Sequence, residues 1–119
     1  QLNATAALGI AVQAREPVNQ HIVLEMAKTS DGAAVGQALY ELLTTDLRPA
    51  VHIIKSKVWL LGASGALPVE QQARAEALYQ QQISTIANAT LLFNTNSRHF
   101  MMLDEPAWFI AQLRLALQE

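Results

Sequence analysis

Two short apolar runs limit what this chain can fold into more than any other feature. Lys57-Val58-Trp59-Leu60-Leu61 and Ala89-Thr90-Leu91-Leu92-Phe93 are nearly free of polar interruption. A run without alternation is how a strand buried on both faces of a parallel sheet reads. Gly62, Gly65 and Pro68 close the first run at its C-terminal end, where sites in α/β proteins form. Between the runs, residues 69–83 are rich in good helix formers, with Ala73, Ala77 and Leu78 on one side. Residues 57–93 are therefore predicted to form a strand–helix–strand unit with a right-handed crossover.

Two parallel strands are not a stable core by themselves. Parallel sheets occur almost only with more strands and with helices on both faces, and apolar edges left open template aggregation. The chain is thus expected to be the C-terminal part of a larger α/β protein, or to complete its sheet with another chain. Its start at Gln1 rather than Met fits a trimmed or partial chain.

The first third reads as helical. Residues 1–13 are Ala-rich, with Gly9 as a weak point. Pro17 can open a second helix, because its missing N–H costs nothing in the first turn. Val18, Ile22 and Met26 then recur at four-residue spacing and mark its apolar stripe. Thr29-Ser30-Asp31-Gly32 ends that helix, and Ser30 or Asp31 can cap the next, whose stripe is Val35, Leu39, Leu42 and Leu43. Pro49 disfavours helical geometry at Arg48, and residues 50–54 read as a connecting turn. The organisation is a helical cap segment over 1–48 and an α/β part over 49–119, closed by a helix over about 105–118 that packs through Phe109, Leu113 and Leu117.

Composition narrows the partners. A net charge of −2 with scattered basic residues gives no reason to expect nucleic acid or an anionic membrane. No apolar run approaches the roughly 20 residues that span a bilayer. The absence of cysteine removes any disulfide framework, thiol nucleophile or thiolate metal site, and permits a cytoplasmic location. No cofactor or metal is called for by any motif.

Chemistry concentrates in Ser97-Arg98-His99-Phe100-Met101-Met102-Leu103-Asp104-Glu105-Pro106-Ala107-Trp108-Phe109. Here a lone histidine leaves the second strand and is followed by a helix that starts at Pro106. On composition alone, such a histidine is more often a packing residue than a base. Asp104 and Glu105 suit the N-terminus of the last helix, where carboxylates are favoured. Met101 and Met102 suit core or pocket-wall packing. His21 and His52 read as surface or partly buried residues, and Tyr40 and Trp59 as core.

These residues carry a resemblance. Thr45-Asp46-Leu47-Arg48-Pro49 followed by residues 52–62 is similar to the passage from helical cap into the penultimate core strand of α/β-hydrolase fold enzymes. Residues 98–109 resemble the loop bearing the catalytic histidine in that family, together with the final helix. The resemblance covers nearly the whole chain. It implies that His99 is the general base of a serine-type hydrolase, esterase- or peptidase-like, acting on a small-molecule substrate. It implies chain order nucleophile, acid, histidine, with the first helices as a lid.

Two departures stand beside it. There is no Gly-x-Ser-x-Gly, since Gly62-Ala63-Ser64-Gly65 has the wrong spacing and follows the wrong strand. The loop Gly62-Ala63-Ser64-Gly65-Ala66-Leu67-Pro68 also lacks the acid many members carry there. Two alternatives stay open. One is a non-catalytic hydrolase-like binding module, and the other is one half of an intertwined or split assembly that pairs with an N-terminal half or with another copy of itself.

Overall fold

The computed structural model describes residues 9–118. Along the chain run α1 (Pro17–Thr29), α2 (Gly32–Thr44), a 3-10 turn (Val51–Ile53), β1 (Val58–Ala63), α3 (Val69–Ile83), β2 (Ala89–Asn94), α4 (Met101–Asp104) and α5 (Pro106–Gln118). The class is mixed α/β, with two parallel strands joined through a helix, in line with the apolar runs. Of the helix expected over residues 1–13, residues 1–8 lie outside the described residues, and residues 9–11 are helical.

Local chemistry explains the boundaries. Pro17 is the first residue of α1, where a missing N–H is harmless. Asp31 caps α2 by accepting the Ala34 N–H at 2.8 Å. Pro68 precedes α3, and Glu70 sits in its first turn, where a negative charge favours the helix dipole.

The strands align Val58 with Ala89 and run in register to Ala63 opposite Asn94. The Val58 N–H donates to the Asn88 carbonyl at 2.8 Å, and the Ser64 N–H to the Asn94 carbonyl at 3.1 Å. Even-numbered residues of β1 therefore bond to β2. Backbone groups alternate direction along a strand, so Trp59, Leu61 and Ala63 turn theirs to the outer edge. Ala89, Leu91 and Phe93 do the same on β2.

Neither strand is buried on both faces as its apolarity predicts. Within them only Gly62 and Asn94 are buried, Thr90 is exposed, and the others are half-buried. The reason is missing cover, because a second sheet neighbour is absent among the described residues. Gly62 also serves no turn. It lies inside β1, and a Cβ there would stand 2.7 Å from the Phe93 ring.

The helices depart from their expected faces for related reasons. On α3, Ile83 is buried and Gln72, Ala75 and Tyr79 are half-buried, whereas Ala73, Ala77 and Leu78 are exposed. Tyr79 packs on Phe93 with ring centroids 5.6 Å apart, and burying an aromatic ring outweighs burying alanine methyls. In α1, Val23 is buried while Val18, Ile22 and Met26 are exposed. In α2 no residue is buried, so Val35, Leu39, Leu42, Leu43 and Tyr40 all face outward. Tyr40 is thus not a core residue. On α5, Phe109 is half-buried, but Leu113 and Leu117 are exposed.

The apolar core that results is small: Ala14, Val23, Ile83, Ile86 and Met101. The radius of gyration is 15.9 Å, against about 13.5 Å for a compact chain of this length. The accessible surface is 8518 Å², against about 6,300 Å² for a folded monomer of 13.0 kDa. About 2,200 Å² of surface is therefore in excess of what a closed monomer exposes. Among the described residues, no helix is long and apolar enough to cross a membrane.

Candidate functional site

β2 ends in a built turn. The Asn94 side chain accepts the N–H groups of Asn96 at 2.8 Å and Ser97 at 2.9 Å, an Asx-type arrangement that reverses the chain without a glycine. The turn brings Ser97 back to β1, where its carbonyl accepts the Gly65 N–H at 2.8 Å. A Cβ on Gly65 would lie 2.6 Å from the carbonyl oxygens of both Asn96 and Ser97. Glycine is required there for close approach of two backbones, not for a left-handed conformation, as no glycine has positive φ.

The loop then carries Arg98 and His99 into α4. Asp104, at the end of α4, is 6% exposed. Its Oδ1 accepts the Arg15 N–H at 2.8 Å, and its Oδ2 accepts the Arg98 N–H at 2.9 Å. One carboxylate thus holds together two segments distant in sequence. The same seam is laced elsewhere. Phe100 N–H donates to the Gln13 carbonyl at 2.8 Å, Asn19 Nδ2 to the Leu103 carbonyl at 3.0 Å, and Arg98 Nη1 to the carbonyls of Ala11 and Ala14.

Arg15 completes it, donating through Nη1 to Glu105 Oε1 at 2.9 Å and through Nη2 to the Asp104 carbonyl at 3.2 Å. Hydrogen bonds to Glu105 first, and Glu16 second, raise the Arg15 guanidinium above its ordinary value. Asp104 and Glu105, expected at the start of the last helix, instead secure this seam. Glu105 also supplies the carbonyl for the first α5 bond, from Phe109 N–H at 2.9 Å.

His99 is exposed. Its ring meets Phe100 edge-on, with centroids 5.2 Å apart and planes at 88°. Among the described residues the imidazole makes no hydrogen bond, so no carboxylate orients it. His99 lines a cavity of about 500 Å³ at the C-terminal end of β1, together with Arg98, Met101, Ser64, Leu61 and Ala63. Met101 is a buried pocket-wall residue as expected, while Met102 is exposed.

The structure brings Ser64 to the same cavity as His99, but Ser64 is 2% exposed and its Oγ is buried without a partner. A hydroxyl shut in this way offers no face to a substrate. Ser97 Oγ and Arg98 Nε are likewise buried and unpartnered. His21 and His52 lie on the surface, and the His52 Nδ1 is 2.8 Å from the Pro49 carbonyl.

Among the described residues, no group of three His, Asp or Glu side chains converges as a metal site. The pair Arg15 and Asp104 escapes sequence reading because nothing local marks a contact spanning 89 positions. Asn94 does leave a signal, since a strand ending in Asn-Thr-Asn is turn chemistry. Comparisons with protein-family models, with curated proteins and with solved structures gave no match.

Proposed function

We propose that this chain is the histidine-bearing part of a serine-type α/β-hydrolase, acting by esterase- or peptidase-like hydrolysis on a small-molecule substrate. One observation carries the reading: His99 leaves the C-terminal end of a parallel strand and lines an open cavity there. That end of a parallel sheet is where α/β proteins bind ligands.

In this reading His99 takes the proton from a serine Oγ as it attacks the carbonyl, and returns it to the leaving group. Ser64 is too buried to be that serine, so nucleophile and orienting acid come from outside these 119 residues, from an N-terminal half or another chain. The seam around Asp104 fixes the base of the His99 loop, which leaves the imidazole free to be oriented by an incoming carboxylate.

The test is turnover of a short-chain p-nitrophenyl ester by the complete protein, wild type and His99→Ala. Loss of a base that acts in concert with its nucleophile should lower kcat by at least about a thousandfold. Equal turnover by the two proteins rejects the reading.

A second reading, a non-catalytic binding module of the same architecture, draws on the state of Asp104. Both its oxygens are committed to backbone amides, so the acid nearest His99 in sequence is not an orienter. Retention of ligand binding by His99→Ala, with no turnover in either protein, is the outcome that favours it.

A further inference from the structure

Arg98 is set apart from every other cation in the chain. The other seven lysines and arginines are exposed, whereas Arg98 is half-buried. Arg15, Lys28 and Arg48 each pair with a carboxylate, but among the described residues Arg98 joins no ion pair. Its side chain donates through Nη1 to the carbonyls of Ala11 and Ala14, and its Nε has no partner. Asp104, the nearest acid in sequence, already holds a backbone amide with each oxygen. Carbonyl dipoles solvate a cation but leave its charge in place, and a partly desolvated charge without a counter-charge is costly.

Arg98 also lines the 500 Å³ cavity at the C-terminal end of β1, a volume within the roughly 300–1,000 Å³ of small-molecule sites. Leu61, Ala63, Leu67 and Met101 give it apolar walls, and among the described residues no acid lines it. A cavity of this composition favours an anion over a cation, and a hydrocarbon body over a polar one. The single guanidinium also limits which anion fits. Its planar fork matches a carboxylate, whereas a phosphate monoester carries up to about two charges and needs more positive charge than one guanidinium supplies.

We propose that this cavity binds a medium-chain alkyl carboxylate, with the carboxylate on the Arg98 guanidinium and the chain along Leu61, Ala63 and Leu67. The bound anion supplies the counter-charge that the protein itself withholds from Arg98. This inference does not rest on the hydrolase reading. It holds whether or not His99 acts as a base, and its tests read binding rather than turnover.

Titration calorimetry with octanoate as the probe tests it. Along the series butanoate, hexanoate, octanoate, each added methylene should tighten binding about fourfold until the cavity is full. Octanol, the same body without the charge, should bind at least about tenfold more weakly than octanoate. Arg98→Gln should weaken octanoate by about tenfold or more and leave octanol unchanged, which separates a lost charge from a lost fold. Ala66 is exposed and lines the cavity, so Ala66→Phe should block octanoate by bulk while the Arg98 bonds to residues 11 and 14 and the helical circular dichroism persist.

Failure of the wild-type protein to bind octanoate at millimolar concentration overturns the proposal. Equal affinity for octanoate and octanol overturns it too, as does affinity independent of chain length. Tighter binding of octyl phosphate than of octanoate would reject the carboxylate as the ligand. Wild-type affinity for octanoate in Arg98→Gln or in Ala66→Phe would place the site elsewhere and reject it as well. Should Arg98→Gln fail to fold, the octanol comparison and Ala66→Phe decide alone.

Discussion

Gly65→Ala is the most informative single change, because the structure fixes both its sign and its size. At an unconstrained position, replacing glycine by alanine stabilises a protein by about 0.4–1 kcal/mol, by restricting the unfolded chain. At Gly65 the added Cβ would lie 2.6 Å from two carbonyl oxygens and 2.8 Å from the Asn96 carbonyl carbon. None of these is the mobile end of a side chain, so β1 and the His99 loop must separate. Overpacking of this kind costs about 1–3 kcal/mol. Lengthening the bond from Gly65 N–H to the Ser97 carbonyl adds about 1 kcal/mol. Less the unfolded-state gain, the net loss is about 2–3 kcal/mol, a fall in Tm near 10 °C for a domain of this size. The control is Gly36→Ala on α2, where a Cβ meets nothing within 4 Å, and a gain of about 0.5–1 kcal/mol is expected. Urea denaturation of both variants against wild type decides the matter. Gly65→Ala as stable as wild type would refute the account of how β1 meets the loop.

Other outcomes follow from the same contacts. Asp104→Asn turns one acceptor into a donor that faces a backbone N–H, and should cost about 2–4 kcal/mol in urea denaturation; a loss under 0.5 kcal/mol would show that the carboxylate does not bind both segments. The Arg48 guanidinium, bonded to Asp46 at 2.6 and 2.7 Å, holds that carboxyl down at about 2. Because the folded value is depressed, the pair's contribution is present above the usual aspartate range and is lost as pH falls toward about 2. Arg48→Met removes the guanidinium but keeps the residue-48 N–H that donates to Asp46 Oδ1 at 3.0 Å, so the Asp46 titration, followed by carboxyl carbon shifts in NMR, should rise toward the ordinary aspartate range without reaching it.

How much of this was legible beforehand depends on the range of the forces involved. Strands and helices are written in local pattern, and the runs at 57–61 and 89–93 locate β1 and β2 correctly. Each strand extends further than its apolar run, to Ala63 and Asn94, because ladder bonds to the neighbour hold residues that composition alone would release. Which face of a helix is buried is not a local property. The Val18, Ile22 and Met26 stripe is as regular as any, yet α1 packs through Val23, since the seam that ties residues 11–20 to residues 96–105 sets its orientation. For the same reason, the position of His99 could be read from sequence, but not the role of Asp104. A carboxylate before a proline looks like a helix cap, and only the arrival of the Arg15 amide reveals another task.

The Asp104 carboxylate also imposes an order on assembly. Its two amide partners are Arg98, six positions earlier, and Arg15, 89 positions earlier. A ribosome adding about 5–20 residues per second leaves several seconds between making Arg15 and making Asp104. During that interval the strand–helix–strand unit can form, but the segment before α1 has no C-terminal loop to dock on. The seam around the His99 loop therefore closes only after Asp104 is made, 89 residues after Arg15.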